Sequence, residues 1–247
     1  AHRRDLTFDV AGMHHFTWIV GVRQGERERL PDVLARAHEM PKLGTDPDLI
    51  RLMGAVPSPY FRYYAHPDRI LAMTEGRPAR AEELIAIQGQ MLEDFRRWRP
   101  GEAIPALRRR GAAWYKQIVV PTLLALAEKK GSELVLSVEN GDVLPWLPAQ
   151  AIIEAPIVLG DGELGRPRAA DLPRDIRAMV ERNAAYEQMA VEAIFGGNPE
   201  LALRALLSNL MVRSYNQAKG ILDVVWPGPK NQGARIESAP PGPRALK

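Results

Sequence analysis

Phe8-Asp9-Val10-Ala11-Gly12-Met13-His14-His15-Phe16-Thr17-Trp18 is the stretch on which the reading of this chain turns. Apolar, extended sequence stops at Gly12, presents two imidazoles, and resumes as Phe16-Thr17-Trp18-Ile19-Val20. Glycine permits a tight bend or a positive φ there. Leu6–Val10 and Phe16–Val22 are therefore expected as two β segments flanking the histidines. A histidine set into an apolar strand needs a hydrogen-bond partner or a ligand. On these residues alone the pair reads equally as one satisfied core imidazole beside an exposed one, or as part of a metal site.

Working outward, the chain of 247 residues is long enough for one large domain or two small ones. A hydrophobic share of 46% and a charged share of 26% are those of an ordinary soluble globular protein. The net charge of +3 is too mild to point to nucleic acid, and Arg96-Arg97-Trp98-Arg99 and Arg108-Arg109-Arg110 read as solvated helix ends. With no cysteine there is neither a disulfide framework nor a thiolate metal site. No signal peptide and no apolar run long enough for a bilayer is visible, so a cytoplasmic protein without a membrane partner is expected.

Periodicity places short helices over Leu30–Met40 and from Leu49, and Pro57-Ser58-Pro59 imposes an extended entry to Tyr60. A helix over Pro78–Trp98 puts Leu84, Gln88, Met91, Phe95 and Trp98 on one face, expected to be core. Ala112–Lys130 is helical, ended or kinked by Pro121. Strands over Glu133–Val138 and Ala151–Val158 flank a turn at Asn140-Gly141-Asp142. A long amphipathic helix over Asp171–Phe195 precedes two more over Leu201–Leu207 and Ser214–Val225, with Asn198 a candidate N-cap. Residues 1–226 are expected as one domain, and Pro227–Lys247, rich in Pro and Gly, as a disordered tail.

Six segments, in order across residues 5 to 226, resemble family-4 glycoside hydrolases, the NAD- and divalent-metal-dependent glycosidases. The histidine run resembles that family's Gly-Leu-Asn-His-hydrophobic-x-Trp signature. Ala55-Val56-Pro57-Ser58-Pro59-Tyr60-Phe61-Arg62-Tyr63-Tyr64 resembles its Pro-x-x-Tyr-Leu-x-Tyr-Tyr segment, and Arg80-Ala81-Glu82-Glu83-Leu84 its Arg-x-x-x-Val helix start. Arg110-Gly111-Ala112-Ala113-Trp114-Tyr115 resembles its Arg-Gly-x-x-Tyr-Tyr element. Asn140–Pro148 with Ile153-Glu154-Ala155-Pro156, and finally Ala205–Val212, resemble its last conserved blocks. The family's glycine-rich Rossmann turn, which joins a first strand to a helix, is missing ahead of the histidine run; the spacing Gly-x-Gly-x-x-Gly occurs only at Gly160–Gly165, followed by Arg166-Pro167. The chain is therefore expected to be the C-terminal half of such an enzyme. The implied fold is α+β, like the C-terminal domain of lactate and malate dehydrogenases, a mixed sheet with packed helices, without the N-terminal Rossmann domain.

The resemblance implies roles for four residues. His15 aligns with the family's metal-ligating histidine, the ion being Mn²⁺ or a related divalent metal. Its partner cysteine is expected on the absent half, which also holds most of the NAD site. His14, where the family usually has Asn, and Arg80 align with substrate-binding positions. A guanidinium there suits a 6-phospho-glycoside or a uronic acid better than a neutral glycoside. Tyr60 aligns with the catalytic base, with Tyr63 and Tyr64 as alternatives if the register differs; read from the residues alone, the three tyrosines are aromatic packing in a half-buried strand. Asn140 and Glu154 read as structural. The implied reaction oxidises C3 of the sugar, removes the C2 proton through Tyr60, and breaks the glycosidic bond by elimination, outside the two-carboxylate scheme. The chain by itself is expected to be inactive without the NAD-binding half, and to form a homo-oligomer. Two other readings are a 2-hydroxy-acid dehydrogenase-like domain, for which no relay Asp is evident, and a non-catalytic remnant acting in oligomerisation.

Overall fold

The computed structural model describes residues 6–111, 115–129, 131–160, 162–168 and 170–226. Their elements, in chain order, are β1 (Leu6–Met13), β2 (Phe16–Gln24), β3 (Arg27–Glu28), α1 (Leu30–Ala35), α2 (Pro47–Met53), β4 (Val56–Pro57), α3 (Phe61–Ala65), α4 (Pro67–Thr74), α5 (Arg80–Arg97) and α6 (Pro105–Arg110). After a wide helical turn over Tyr115–Val119 come α7 (Val120–Glu128), β5 (Ser132–Glu139), β6 (Ile152–Gly160), β7 (Glu163–Leu164), α8 (Arg174–Gly196), α9 (Pro199–Ser208) and α10 (Tyr215–Val225). The fold is α+β, with two small sheets and packed helices. The expected tail from Pro227 and the segment 112–114 lie outside the described residues. No described helix is long and apolar enough to cross a membrane.

The chain divides into two compact units, Ala1–Glu181 and Arg182–Lys247. In the first, β1 and β2 form a hairpin closed by Met13 opposite Phe16, and β3 and β4 both pair with β2. The second sheet runs β5-β6-β7, and every strand pair among the described residues is antiparallel. β1 lies against β6, which brings the hairpin to the second sheet. On β6, Ile153, Ala155, Ile157 and Leu159 are buried at alternate positions, the period of a half-covered strand. Val22, Leu30, Ala37, Ile50 and Val56 form a core beneath the first sheet.

A fourfold ionic cluster ties the two sheets. Arg168 donates to Glu133 on β5 at 2.8 and 3.2 Å, to Asp9 on β1 at 3.1 Å and to the Phe8 carbonyl at 2.6 Å. Asp9 also accepts from Arg23 of β2 at 2.7 Å. The hydrogen bonds to Glu133 hold the Arg168 guanidinium above its ordinary pKa range against partial desolvation, and Asp9 reinforces them. Gly21 faces Asp9 in the ladder, and a Cβ there would stand 2.3 Å from its carboxylate. The position excludes any side chain as long as Asp9 reaches its two arginines.

Gly12 has the positive φ that the sequence allowed, while the bend itself falls two residues further on. Gly12 stays inside β1, at φ +143° and with its α-carbon so close to Phe16 that a Cβ would meet that carbonyl at 2.3 Å. The turn is His14-His15, both left-handed at φ 47° and 64°, the two-residue arrangement that matches the twist of the flanking strands. A second correction concerns α5. Ile87 is its buried residue, whereas Phe95 and Trp98, expected in the core, are 48% and 46% exposed. The tyrosines following Pro59 sit at the start of a short helix rather than in a strand.

In the second unit, Asn198 caps α9 by accepting from Glu200 and Leu201 at 3.1 and 3.0 Å, as expected. Ser214 caps α10 through Gln217 at 3.1 Å. Arg182 donates to the Ser208 and Leu207 carbonyls, closing the C-terminal end of α9.

Candidate active site

The hairpin turn aims both imidazoles outward, and its tip is tied on two sides. Ser58 donates through Oγ to the His15 carbonyl, and its own N–H donates to the Thr17 carbonyl at 2.8 Å. From β6, Glu154 Oε1 accepts the His15 backbone N–H at 3.0 Å and lies 3.0 Å from His15 Nδ1. The carboxylate is mostly buried, with its side chain 15% exposed, while the imidazole is 67% exposed. A carboxylate at this distance from Nδ1 orients the ring and leaves Nε2 directed away from it. His15 and Glu154 line a cleft of about 430 Å³ with Ile118, Val135, Leu136 and Ser137.

Tyr60 follows directly from the Ser58 anchor. Pro57-Ser58-Pro59 runs extended from β4, and Tyr60 occupies the residue before α3. Its ring stacks on His15 with centroids 5.3 Å apart and planes 20° from parallel. Trp18, 1% exposed, packs edge-on against Phe16 at 4.6 Å and Phe61 at 5.8 Å, which fixes α3 against the hairpin. The three candidate tyrosines have separate roles. Tyr64 joins the Phe16–Phe61 cluster, the Tyr63 hydroxyl accepts from Arg62 at 3.2 Å, and the Tyr60 hydroxyl has no partner among the described residues.

Arg80 stands apart from this group. It opens α5 and donates to Glu83 at 2.6 Å on the helix surface, and α5 packs on α6. His14 is exposed at the turn beside His15. The structure thus joins His14, His15 and Tyr60 and gives Arg80 a local carboxylate. Among the described residues no three His, Cys, Asp or Glu side chains cluster as a metal cage.

Glu154, read from sequence as a structural strand-face charge, is the partner of His15 that reading missed. A lone carboxylate between buried Ile153 and Ala155 was the available signal, since a charge in an apolar strand needs a partner. Asn140 is structural, as expected. Fully buried, it donates to the Leu144, Pro148 and Leu147 carbonyls and accepts from Leu144 N–H at 2.8 Å, holding the β5–β6 connection.

A small α+β domain with an imidazole–carboxylate pair under a stacked tyrosine is the class this geometry defines. Residues 10–212 match the family 4 glycosyl hydrolase C-terminal domain, and the chain belongs to that family. It is 27% identical over 186 residues to the probable 6-phospho-beta-glucosidase of Bacillus subtilis (strain 168), covering 72% of this chain and 41% of that protein. To 6-phospho-beta-glucosidase BglT of Thermotoga maritima it is 24% identical over 179 residues, 72% of this chain and 42% of that one. The structure of the Thermotoga maritima 6-phospho-beta glucosidase with NAD and glucose-6-phosphate superposes with a TM-score of 0.78 at 21% identity, over 90% of this chain and 54% of that chain. A 6-phospho-alpha-glucosidase from gut microorganisms, in complex with NAD and glucose-6-phosphate, gives 0.70 at 24% identity over 89% and 54%. The chain spans about half the length of the relatives it matches.

Proposed function

We propose that this chain is the substrate- and metal-facing part of an NAD- and divalent-metal-dependent glycosidase that cleaves O-glycosidic bonds of 6-phospho-glucosides. The observation that carries the proposal is the stack of Tyr60 on His15, with Glu154 behind the imidazole. The phosphorylated substrate class is supported by the relatives, which are 6-phospho-glucosidases.

His15 fits a divalent ion as one ligand, because Glu154 engages Nδ1 and Nε2 remains available. Cysteine is absent from the chain, so its remaining ligands come from outside these residues or from the substrate. When bound, such an ion polarises a carbonyl oxygen and acidifies the neighbouring C–H. Tyr60, whose ring lies on His15, would be the group that removes the proton at C2. His14 orients the sugar, and Arg80 holds an anionic substituent in exchange for Glu83. The residues present do not fit the nucleotide: the one Gly-x-Gly-x-x-Gly, Gly160–Gly165, falls where β6 pairs antiparallel with β7 and opens no helix, and no step is derived through the nucleotide.

The same reading includes an oligomer and contact with a nucleotide-binding half, supported by the exposed apolar side chains Ile85 and Leu92 on α5 and Leu123 and Leu124 on α7. The His15–Glu154 pair also has the form of a dehydrogenase relay, with Glu in place of Asp. Product analysis separates the two: free glucose 6-phosphate from a 6-phospho-glucoside, dependent on Mn²⁺ and NAD⁺ and abolished by His15→Ala, supports the glycosidase. Stoichiometric NADH from a hydroxy acid supports the dehydrogenase, and no turnover by the protein joined to its nucleotide-binding half supports a non-catalytic role.

A further inference from the structure

A second cavity, of about 640 Å³, opens between the segment 37–47 and helices α3 and α4. Its lining includes Arg62, Arg69, Arg77 and His38, with Asp46 as its carboxylate and Thr45 at its wall. Tyr63 reaches it, and it shares no lining residue with the cleft at His15 and Glu154, so the two are separate.

The lining carries three guanidiniums and an imidazole against one carboxylate. The Asp46 carboxylate accepts the Asp48 N–H at 2.8 Å and caps α2. Among the described residues, none of the three guanidiniums forms an ion pair, whereas Arg23, Arg29, Arg36, Arg51, Arg80, Arg96, Arg166, Arg168 and Arg177 all do. His38 approaches Glu39 at 3.9 Å, but that carboxylate is held by Arg36 at 2.6 and 2.9 Å.

Two buried donors point the same way. Thr45 is 6% exposed, and its hydroxyl has no hydrogen-bond partner. The buried Arg62 Nε has none either. Buried polar atoms without partners are uncommon in native proteins and mark a strain or a ligand. The Arg62 stem is fixed in place: it runs beneath Gly44, where a Cβ would stand 2.7 Å from Cδ, and its guanidinium lies 5.1 Å over the Tyr63 ring. Arg69 donates to the Gly44 carbonyl, tying α4 to the same loop. Arg62 and Arg69 are therefore held in position by the fold, while Arg77 stands exposed just beyond α4.

We propose that this cavity binds a phosphate-class oxyanion, free or as the phosphomonoester of a small molecule. Guanidinium forks match tetrahedral oxyanions in geometry and charge, and three of them lining one cavity with a hydroxyl suit a dianion better than a single carboxylate. The proposal is independent of the glycosidase reading, because binding is measured without metal, nucleotide or turnover.

The test is calorimetric titration of the protein with inorganic phosphate at constant ionic strength. Saturable binding is expected. Thr45→Val, which keeps the shape and removes the hydroxyl, and Arg77→Gln, at an exposed position, are each expected to weaken it at least about tenfold. Arg96→Gln, outside the cavity and paired with Glu93, is expected to leave it within about twofold. A phosphomonoester of a sugar binding more tightly than inorganic phosphate assigns the cavity to an ester, and equal affinity assigns it to the free anion. Absence of saturable binding overturns the proposal. So does wild-type affinity in both Thr45→Val and Arg77→Gln with native circular dichroism, or an equal loss in Arg96→Gln.

Discussion

His15 Nδ1 lies 3.0 Å from Glu154 Oε1, and the same oxygen accepts the His15 backbone N–H at 3.0 Å, although 139 positions separate the two residues. One carboxylate therefore sets both the position of the turn and the orientation of the ring. It reaches the hairpin because β6, which carries Glu154, lies against β1.

Glu154→Gln keeps an oxygen for the backbone N–H and removes the charge from Nδ1. If His15 is a metal ligand, Mn²⁺ affinity should fall about 10–100-fold, as for other residues that orient a ligating histidine. Metal titration monitored by calorimetry measures this, and unchanged affinity would take Glu154 out of that role.

His14 is left-handed at φ 47°, a conformation that Asn adopts at lower cost and favours at the first position of this turn. His14→Asn is expected to stabilise the protein by about 0.5–1 kcal/mol, a fraction of the strain of a non-glycine residue in that region. Thermal denaturation reads the sign directly; a lower melting temperature would mean that His14 makes a compensating interaction worth more than the strain.

Glu28 accepts backbone N–H groups from Leu30, Arg29 and Val22 at 2.7, 2.9 and 3.3 Å, and the Leu30 bond is the main cause of its lowered pKa. A carboxyl lowered by folding contributes stability above its unfolded pKa, near 4.5, and loses that contribution as pH falls through the folded value. In this exposed site the contribution is expected to stay below about 1 kcal/mol. Glu28→Gln should flatten the acid side of the stability profile, and an unaltered slope below pH 4.5 in denaturant titrations would contradict the assignment.

Arg168→Met removes the link from Glu133 to Asp9 and leaves Asp9, 15% exposed, with Arg23 alone. The expected cost is about 1–2 kcal/mol, the range for charge-assisted hydrogen bonds in a partly solvated site. Equilibrium unfolding in urea checks it, and a change under 0.5 kcal/mol, roughly the noise of surface substitutions, would mean that the sheets hold without this cluster.

Much of the fold was legible because it is local. The alternation around the histidines, the Pro57-Ser58-Pro59 entry, the Asn198 cap and the long helix from Arg174 each follow from neighbours in the chain. The positive φ of Gly12 was legible, but of the two alternatives there the bend was not realised: it falls at His14-His15, and only the close approach of Phe16 shows why Gly12 sits inside the strand. Periodicity placed Leu84, Met91 and Phe95 on one face of α5 but carries no information on whether anything covers that face. Of the site, the His15–Tyr60 pairing followed from the family resemblance. Glu154 and Arg168 did not, because their partners lie 139 and 159 positions away.

The central claim is that Tyr60, stacked on His15, is the base. Its most direct test is exchange of the substrate C2 proton with D₂O, comparing Tyr60→Phe with Tyr63→Phe in the protein joined to its nucleotide-binding half. The phenylalanine keeps the ring contact with His15 and removes only the hydroxyl. Tyr60→Phe is predicted to slow exchange about 10²–10⁴-fold with the fold intact, and Tyr63→Phe to leave it near the wild-type rate. Wild-type exchange in Tyr60→Phe would contradict the account, and slow exchange in Tyr63→Phe alone would move the base to Tyr63.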